Sequence, residues 1–242
     1  MKLEEKIQEQ TIYTHTNSIS LKKTGVLYLL VKRVFDFVSS FIVSIIIIAP
    51  VLVIALVIFF KDPGNPFYLQ ERVGKGGKTL KILKFRSMKK NADQLENYLT
   101  PGQIEEYKRE YKLNDDPRLI GYKKSGDGQK CFGARIRQMS IDELPQIIYN
   151  ICILGNMSVV GPRPILREEL AENYTEYEEI KFLSVKPGLT GYWQAYARNN
   201  VEYNNHERQN MELYYVENKS AWMDLKIIFK TVEAVIKKRG AK

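Results

Sequence analysis

The sequence predicts a membrane-associated α/β fold, mostly helical, with one small β-hairpin. Three observations carry this expectation. Residues 37–60 form an apolar run without a single charged side chain. As a straight helix such a run would reach ~36 Å, enough to cross a ~30 Å hydrocarbon core. Two strand-like stretches, 66–73 and 78–85, flank Gly74-Lys75-Gly76-Gly77, which is a hairpin signal. Elsewhere apolar residues recur at helical spacing beside charged faces.

The apolar run has two membrane readings. Pro50 lies near its middle and removes a backbone donor, so a kink is expected there. Both flanks are basic: Lys22, Lys23, Lys32 and Arg33 before it, and Lys61, Arg72, Lys75, Lys78, Lys81 and Lys84 after it. A true span would leave one cluster on the wrong side of the positive-inside rule. A re-entrant helix-break-helix that enters and leaves by one face satisfies both clusters. The residues alone leave the kinked span and the re-entrant hairpin open; a buried soluble helix is disfavoured by the length of the run. Arg33 and Asp36 stand three apart and are spaced to pair on one helical face. An exposed carboxylate at a helix start is the alternative.

Further along, 91–113 is polar and helical, with Ile104, Tyr107 and Tyr111 on one stripe. Residues 114–133 read as a loop, most irregular at 123–130. Helical patterns resume after Ser140, run over 169–183 and close the chain at 221–238. In the last, Trp222, Leu225, Ile228, Phe229, Val232 and Val235 form an apolar face beside Lys226, Lys230 and Lys237. Such a basic amphipathic helix suits a membrane surface, or packing on the protein's own core.

The formal charge of +9 over 242 residues suits nucleic acid, anionic lipid or phosphate-bearing substrates. Nucleic acid is disfavoured: Lys78, Lys81, Lys84 and Arg86 alternate with Leu80, Ile82, Leu83 and Phe85, not with stackable exposed aromatics. The membrane run makes lipid headgroups the better partner. Cys131 and Cys152 form no CxxC unit and no zinc spacing with His15 or His206, so reduced thiols on a cytosolic face are expected. Residues 1–24 are polar and mixed in charge, unlike a secretory signal.

Four motifs bear on chemistry. Gly77-Lys78-Thr79 resembles the end of a phosphate-binding loop, but Arg72 stands where that loop needs glycine, and the segment lies in a hairpin. In Ser140-Ile141-Asp142-Glu143-Leu144-Pro145, Ser140 and Glu143 have capping-box spacing, or Asp142 is the N-cap with Pro145 in the first turn. Capping needs one carboxylate, and two adjacent ones at a helix N-terminus would be held ionised by its dipole. That is the state required of a nucleophile or of a ligand for a hard cation. Gly161-Pro162-Arg163-Pro164 is a rigid turn presenting one guanidinium, suited to bidentate phosphate binding or to a plain surface turn. The loop from Lys186-Pro187-Gly188 is followed by Gln194, Arg198 and Asn199, all able to hydrogen-bond a phosphate, ribose or base.

Taken in order, Lys32-Arg33-Val34-Phe35-Asp36, the apolar run broken by Pro50, Gln70-Glu71-Arg72-Val73-Gly74, Lys84-Phe85-Arg86-Ser87-Met88, Asp116-Pro117-Arg118, residues 140–146, 157–164 and 187–199, and Tyr214-Tyr215-Val216-Glu217-Asn218 resemble the bacterial sugar transferases. These are monotopic polyprenyl-phosphate phosphoglycosyl transferases. The resemblance covers residue 32 to the C-terminus. It departs at Met139, where a small hydroxyl residue is common, at Ala197, where glycine is common, and in a longer segment between Arg118 and Arg135.

The resemblance implies transfer of a sugar-1-phosphate from a nucleotide sugar, UDP-linked by expectation, to undecaprenyl phosphate, the first membrane step of surface glycan assembly. It implies Asp142 as nucleophile, and Glu143 as its catalytic neighbour and ligand for Mg²⁺. It implies Lys84, Arg137, Gln146, Arg163, Arg198 and Asn199 as substrate-binding residues. It also implies a polar tail over 1–31, a re-entrant membrane hairpin over 32–61, and a catalytic domain with interfacial helices over 62–242 on the cytoplasmic face of the inner membrane. The expected partners are the nucleotide sugar, polyprenyl phosphate and membrane lipid, with a homo-oligomer left open. Two alternatives stand beside this: a non-catalytic membrane-surface adaptor for anionic lipid or a partner protein, and an enzyme of the same fold in which Glu143 activates the acceptor directly.

Overall fold

The computed structural model describes residues 25–110, 113–124, 126, 128, 130–197 and 206–236. Their fold is mostly helical, with two small two-stranded sheets. Among the described residues the chain divides into two compact units, 25–45, 70–82 and 146–236 in the first, 46–69 and 83–145 in the second.

Helix α1, Val26–Lys61, is long and apolar enough to cross a membrane. It continues through Pro50 as one helix. Much of its surface is exposed and apolar, including Phe37, Phe41, Ile45, Ile46 and Phe60. The hydroxyls of Ser39, Ser40 and Ser44 donate to the carbonyls of Phe35, Phe37 and Ser40, so these polar groups are satisfied within the helix. That suits a lipid environment, where water is unavailable to them.

Strands β1 (Phe67–Val73) and β2 (Thr79–Phe85) pair as the expected hairpin. Gly76, at φ +70°, turns the chain between them in a conformation a β-carbon would resist.

In the second unit, Val51, Ala55 and Ile58 form a buried stripe on the later part of α1, the i, i+4, i+7 spacing of one helix face. Arg86, just past β2, donates to the carboxylate and the backbone carbonyl of Asp62, where α1 ends. The Asp116-Pro117-Arg118 motif proves to be a buried clasp. Arg118 Nε and its amino nitrogen donate to the two Asp116 oxygens at 2.9 and 2.8 Å, and its guanidinium lies 4.2 Å from the Tyr107 ring centre. Tyr107 belongs to α2, Pro101–Glu110, a shorter helix than 91–113. Tyr111 lies outside the described residues. Helix α3, Phe132–Gln138, occupies sequence read in part as loop. The missing side chain of Gly133 is what admits α3, because a β-carbon would sit 2.3 Å from the Ser87 carbonyl oxygen.

The first unit is built on strands β3 (Ser158–Val160) and β4 (Gly188–Thr190), which run parallel with Ser158 opposite Gly188 and Val160 opposite Thr190. Helices α4 (Arg167–Asn173), α5 (Glu176–Leu183), α6 (Tyr192–Tyr196), α7 (Glu207–Asn218) and α8 (Ala221–Ile236) complete it. The single helix expected over 169–183 is two. Tyr174 ends α4, and Thr175 starts α5 with a capping box to Glu178. One core joins Val73, Ile165, Leu170, Tyr174, Phe182, Leu183 and Leu213. Another joins Val160, Tyr215, Val216 and Ile227. Ile227 turns inward on α8, whereas Trp222, Phe229 and Val232 are exposed, so most of the apolar face read from the sequence looks away from the core.

Asp36 does not take Arg33 as its partner. Its carboxylate, only 3 % exposed, accepts from the Ser158 hydroxyl at 2.7 Å and the Val159 amide at 3.0 Å. A parallel strand end offers better-directed donors than a long side chain on the same helix. A second anchor lies on Asp224 of α8, which accepts from Lys32 Nζ at 2.8 Å and from the Tyr28 and Tyr215 hydroxyls at 3.0 and 2.8 Å. Replacing Asp36 with alanine orphans two buried donors and should lower unfolding stability by about 3 kcal/mol, with Asp36→Asn costing less. Thermal denaturation of the detergent-solubilised variants checks the order.

Candidate active site

The reacting residues lie where the chain leaves α3. Arg137 stands in the last turn of that helix. Ser140, at φ +54°, reverses the chain at once into a 3₁₀ turn, Ile141–Glu143. Leu144–Gln146 adds one α-helical turn, with Pro145 where its missing N–H does no harm. A π-helical segment, Ile147–Ile153, follows. Neither expected cap forms: no side chain caps the turn, and Glu143 N–H donates to the Ser140 backbone carbonyl instead. The left-handed backbone at Ser140 withdraws its hydroxyl from the capping position.

Lys84, near the end of β2, donates to Glu143 Oε1 at 3.0 Å. Asp142 is the more sheltered carboxylate. Burial pushes it up to about 6; Lys84 and Arg137 pull it down, and Glu143 pushes it up further. Desolvation thus outweighs the dipole of the helical stretch that starts here and continues to Ile153. Asp142 still ionises below neutral pH, so it is mostly a carboxylate at pH 7, flanked by two cations. A partly desolvated carboxylate of this kind is a competent nucleophile.

A hard cation fits this pair. Magnesium is usually held by one or two carboxylates together with substrate phosphates, not by a full protein cage. Adjacent Asp142 and Glu143 are two carboxylates of that kind.

The other expected site residues divide. Lys84 and Arg137 belong to the second unit with Asp142 and Glu143. Gln146 and Arg163 belong to the first. Gln146 is buried, and Arg163 presents its guanidinium 5.6 Å from the Trp193 ring centre. Arg198 and Asn199 lie outside the described residues.

A family model described as bacterial sugar transferase matches residues 27–238. The chain belongs to the bacterial sugar transferase family. Relatives within it include a UDP-galactose-lipid carrier transferase from Erwinia amylovora, 41% identical over 87% of this chain and 41% of the relative. The exopolysaccharide production protein ExoY of Sinorhizobium fredii is 40% identical over 87% of both chains. An undecaprenyl-phosphate galactose phosphotransferase from Salmonella typhimurium is 38% identical over 87% of this chain and 41% of the relative. The chain thus spans about two fifths of the length of several relatives and most of the length of others.

Within the family match, sequence reasoning missed one cluster. Glu212 on α7 is fully buried and accepts the Arg163 amide at 3.2 Å. Arg208, one turn earlier, pairs with Glu169 at 2.7 Å and lies 5.0 Å from the Trp193 ring centre. The i, i+4 spacing of Arg208 and Glu212 on one helix face was the available signal.

The raised Asp142 has a definite stability signature. Its folded value exceeds the unfolded one, so ionising it opposes folding. The protein loses stability as pH rises from about 4 through about 6, and the loss is complete above that. Asp142→Asn should remove this slope and be more stable at pH 8 by up to roughly 3 kcal/mol. Denaturant titrations of both proteins at pH 5 and pH 8 measure the difference.

Proposed function

We propose that this protein transfers a sugar-1-phosphate from a nucleotide sugar, a UDP-sugar by chemistry, to undecaprenyl phosphate. The observation that carries the reading is a sheltered Asp142 carboxylate flanked by Lys84 and Arg137, in a chain of this family. The names of relatives that act on UDP-galactose or undecaprenyl phosphate support the substrate classes. The ExoY relative supports a place in exopolysaccharide assembly.

An Asp142 oxygen attacks the phosphorus bonded to the sugar oxygen. The bond from that phosphorus to the nucleoside monophosphate oxygen breaks, and the monophosphate leaves with the electron pair. A mixed anhydride of Asp142 and the sugar phosphate remains. An oxygen of undecaprenyl phosphate then attacks the same phosphorus and frees Asp142, leaving a diphosphate-linked sugar. Two steps at one carboxylate replace a direct meeting of two anions. Lys84 and Arg137 offset charge on the diphosphate, and Arg163 binds donor phosphate through its planar fork. Gln146, Arg198 and Asn199 contribute to the donor or acceptor site. Glu143, with Asp142 beside it, holds Mg²⁺, which when bound neutralises phosphate charge. Glu143 is itself oriented by Lys84.

The membrane arrangement belongs to the same proposal. Residues 32–61 are the re-entrant hairpin, entering and leaving by the cytoplasmic face of the inner membrane with its turn at Pro50. The basic residues on both flanks support this. Residues 62–242 form the catalytic domain. The exposed Trp222, Phe229 and Val232 of α8 lie at the lipid interface.

Two measurements test this reading. In purified enzyme supplied with UDP-galactose and undecaprenyl phosphate, Asp142→Asn should abolish nucleoside monophosphate release, a loss of at least about 10³-fold. Intact-mass measurement of wild type given donor alone should show a phosphosugar adduct absent from the variant. Undiminished turnover removes Asp142 from the nucleophile's role. For topology, cysteines placed at Gly25 and Lys75 should be labelled from the same side of sealed vesicles; opposite sides would mean a span.

A further inference from the structure

The turn that carries Arg163 has an unusual backbone. Pro162 and Pro164 have no N–H, so Arg163 supplies the only backbone donor among the three. The backbone on either side is pinned by strand-type bonds. Gly161 N–H donates to the Thr190 carbonyl at 2.9 Å, Gly188 N–H to the Pro162 carbonyl at 2.9 Å, and Val73 N–H to the Ile165 carbonyl at 2.9 Å. What remains undetermined by the strands is the rotation of Arg163 itself. Its single donor goes to Oε1 of Glu212.

Glu212 is an expensive residue to place there. It is 1 % exposed, and its second oxygen makes no hydrogen bond among the described residues. Burying a carboxylate this deeply is unfavourable unless its charge or its acceptors are used. The acceptor is used: one oxygen takes the Arg163 amide, while burial pushes the carboxyl up to about 7 against the pull of Arg208 and Arg163. Helix α7 holds the carboxylate rigidly, because Leu213, Tyr215 and Val216 beside it are buried in the core.

We propose that Glu212 is the positioning residue for Arg163: it takes the one backbone donor of the Pro162-Arg163-Pro164 turn and so fixes the backbone conformation from which the Arg163 guanidinium binds donor phosphate. This rests on the reading of Arg163 as a donor-phosphate ligand. Glu212 touches no substrate itself, and its effect passes through Arg163.

The test uses the full-length protein in detergent with UDP-galactose and undecaprenyl phosphate. Glu212→Leu should raise the donor KM about tenfold and leave the acceptor KM within about twofold, the signature of lost donor binding. Glu212→Gln keeps the acceptor for the amide and should change the donor KM by no more than about threefold. The double variant Arg163→Ala/Glu212→Leu should match Arg163→Ala alone, since residues acting through one another are not additive. Full additivity, or an equal rise in both KM values, overturns the proposal and leaves Glu212 as ordinary core. Amide hydrogen exchange separates this from failure of the underlying reading. If Arg163→Ala proves silent, Arg163 is not a donor ligand, but its amide should still exchange at least about 100-fold faster in Glu212→Leu and remain protected in Glu212→Gln. Unchanged protection in Glu212→Leu overturns the positioning role. If that variant does not fold, loss of protection in Glu212→Gln, where the acceptor persists, overturns it too.

Discussion

Asp36 buries its carboxylate on a strand end. A charge in an otherwise apolar helix is costly in lipid and in a protein core alike, and it is tolerated only where donors are waiting. Ser158 and Val159 are those donors. The contact ties α1 to β3, and β3 leads directly into the turn that carries Arg163. Lys32 and Tyr28, about one and two turns earlier on α1, repeat the device on Asp224 of α8. Two buried carboxylates thus dock the start of an apolar helix onto a small parallel sheet and a helix with an exposed apolar face. An element that has no apolar preference between lipid and core is oriented by its polar exceptions.

The Asp142-Glu143 turn works by an opposite balance. At Asp142 desolvation outweighs the helix N-terminus on which the pair sits. Burial raises Asp142, and the cations Lys84 and Arg137 bring it back to a value that leaves it ionised at neutral pH. A carboxylate poised this way is less solvated than a surface aspartate and better able to attack phosphorus. Lys84 serves both residues: it hydrogen-bonds Glu143 and lowers Asp142. The turn is short because Ser140 breaks α3 abruptly, and that break keeps Arg137 close to the carboxylates.

Much of this was legible in the residues. The apolar run, the hairpin glycines and the amphipathic last helix follow from composition and period, which depend only on neighbours in the chain. The ordered motifs marked the family without any structure. Less legible were features set by distant partners. Helix α3 begins inside the stretch read as loop, and it is admitted by the close backbone approach of Gly133 to Ser87. The Thr175 capping box was readable but lay inside a longer helical pattern. For Asp36 local spacing offered pairing with Arg33 or exposure at a helix start, and its actual partners are distant in sequence. Glu212 gave no sign of its role beyond a helical spacing to Arg208.

The sequence by itself therefore determined the long apolar helix, the hairpin, the last helix and the bacterial sugar transferase family, because these are properties of local chemistry and of motif order. The tertiary structure decided what each charged group faces. It turned Asp36 to Ser158, gave the Arg163 amide to Glu212, and replaced helix-dipole stabilisation of Asp142 by a contest between burial and two cations. Burial and Coulomb interactions depend on distance in space, and in this chain the decisive partners lie up to 196 residues apart.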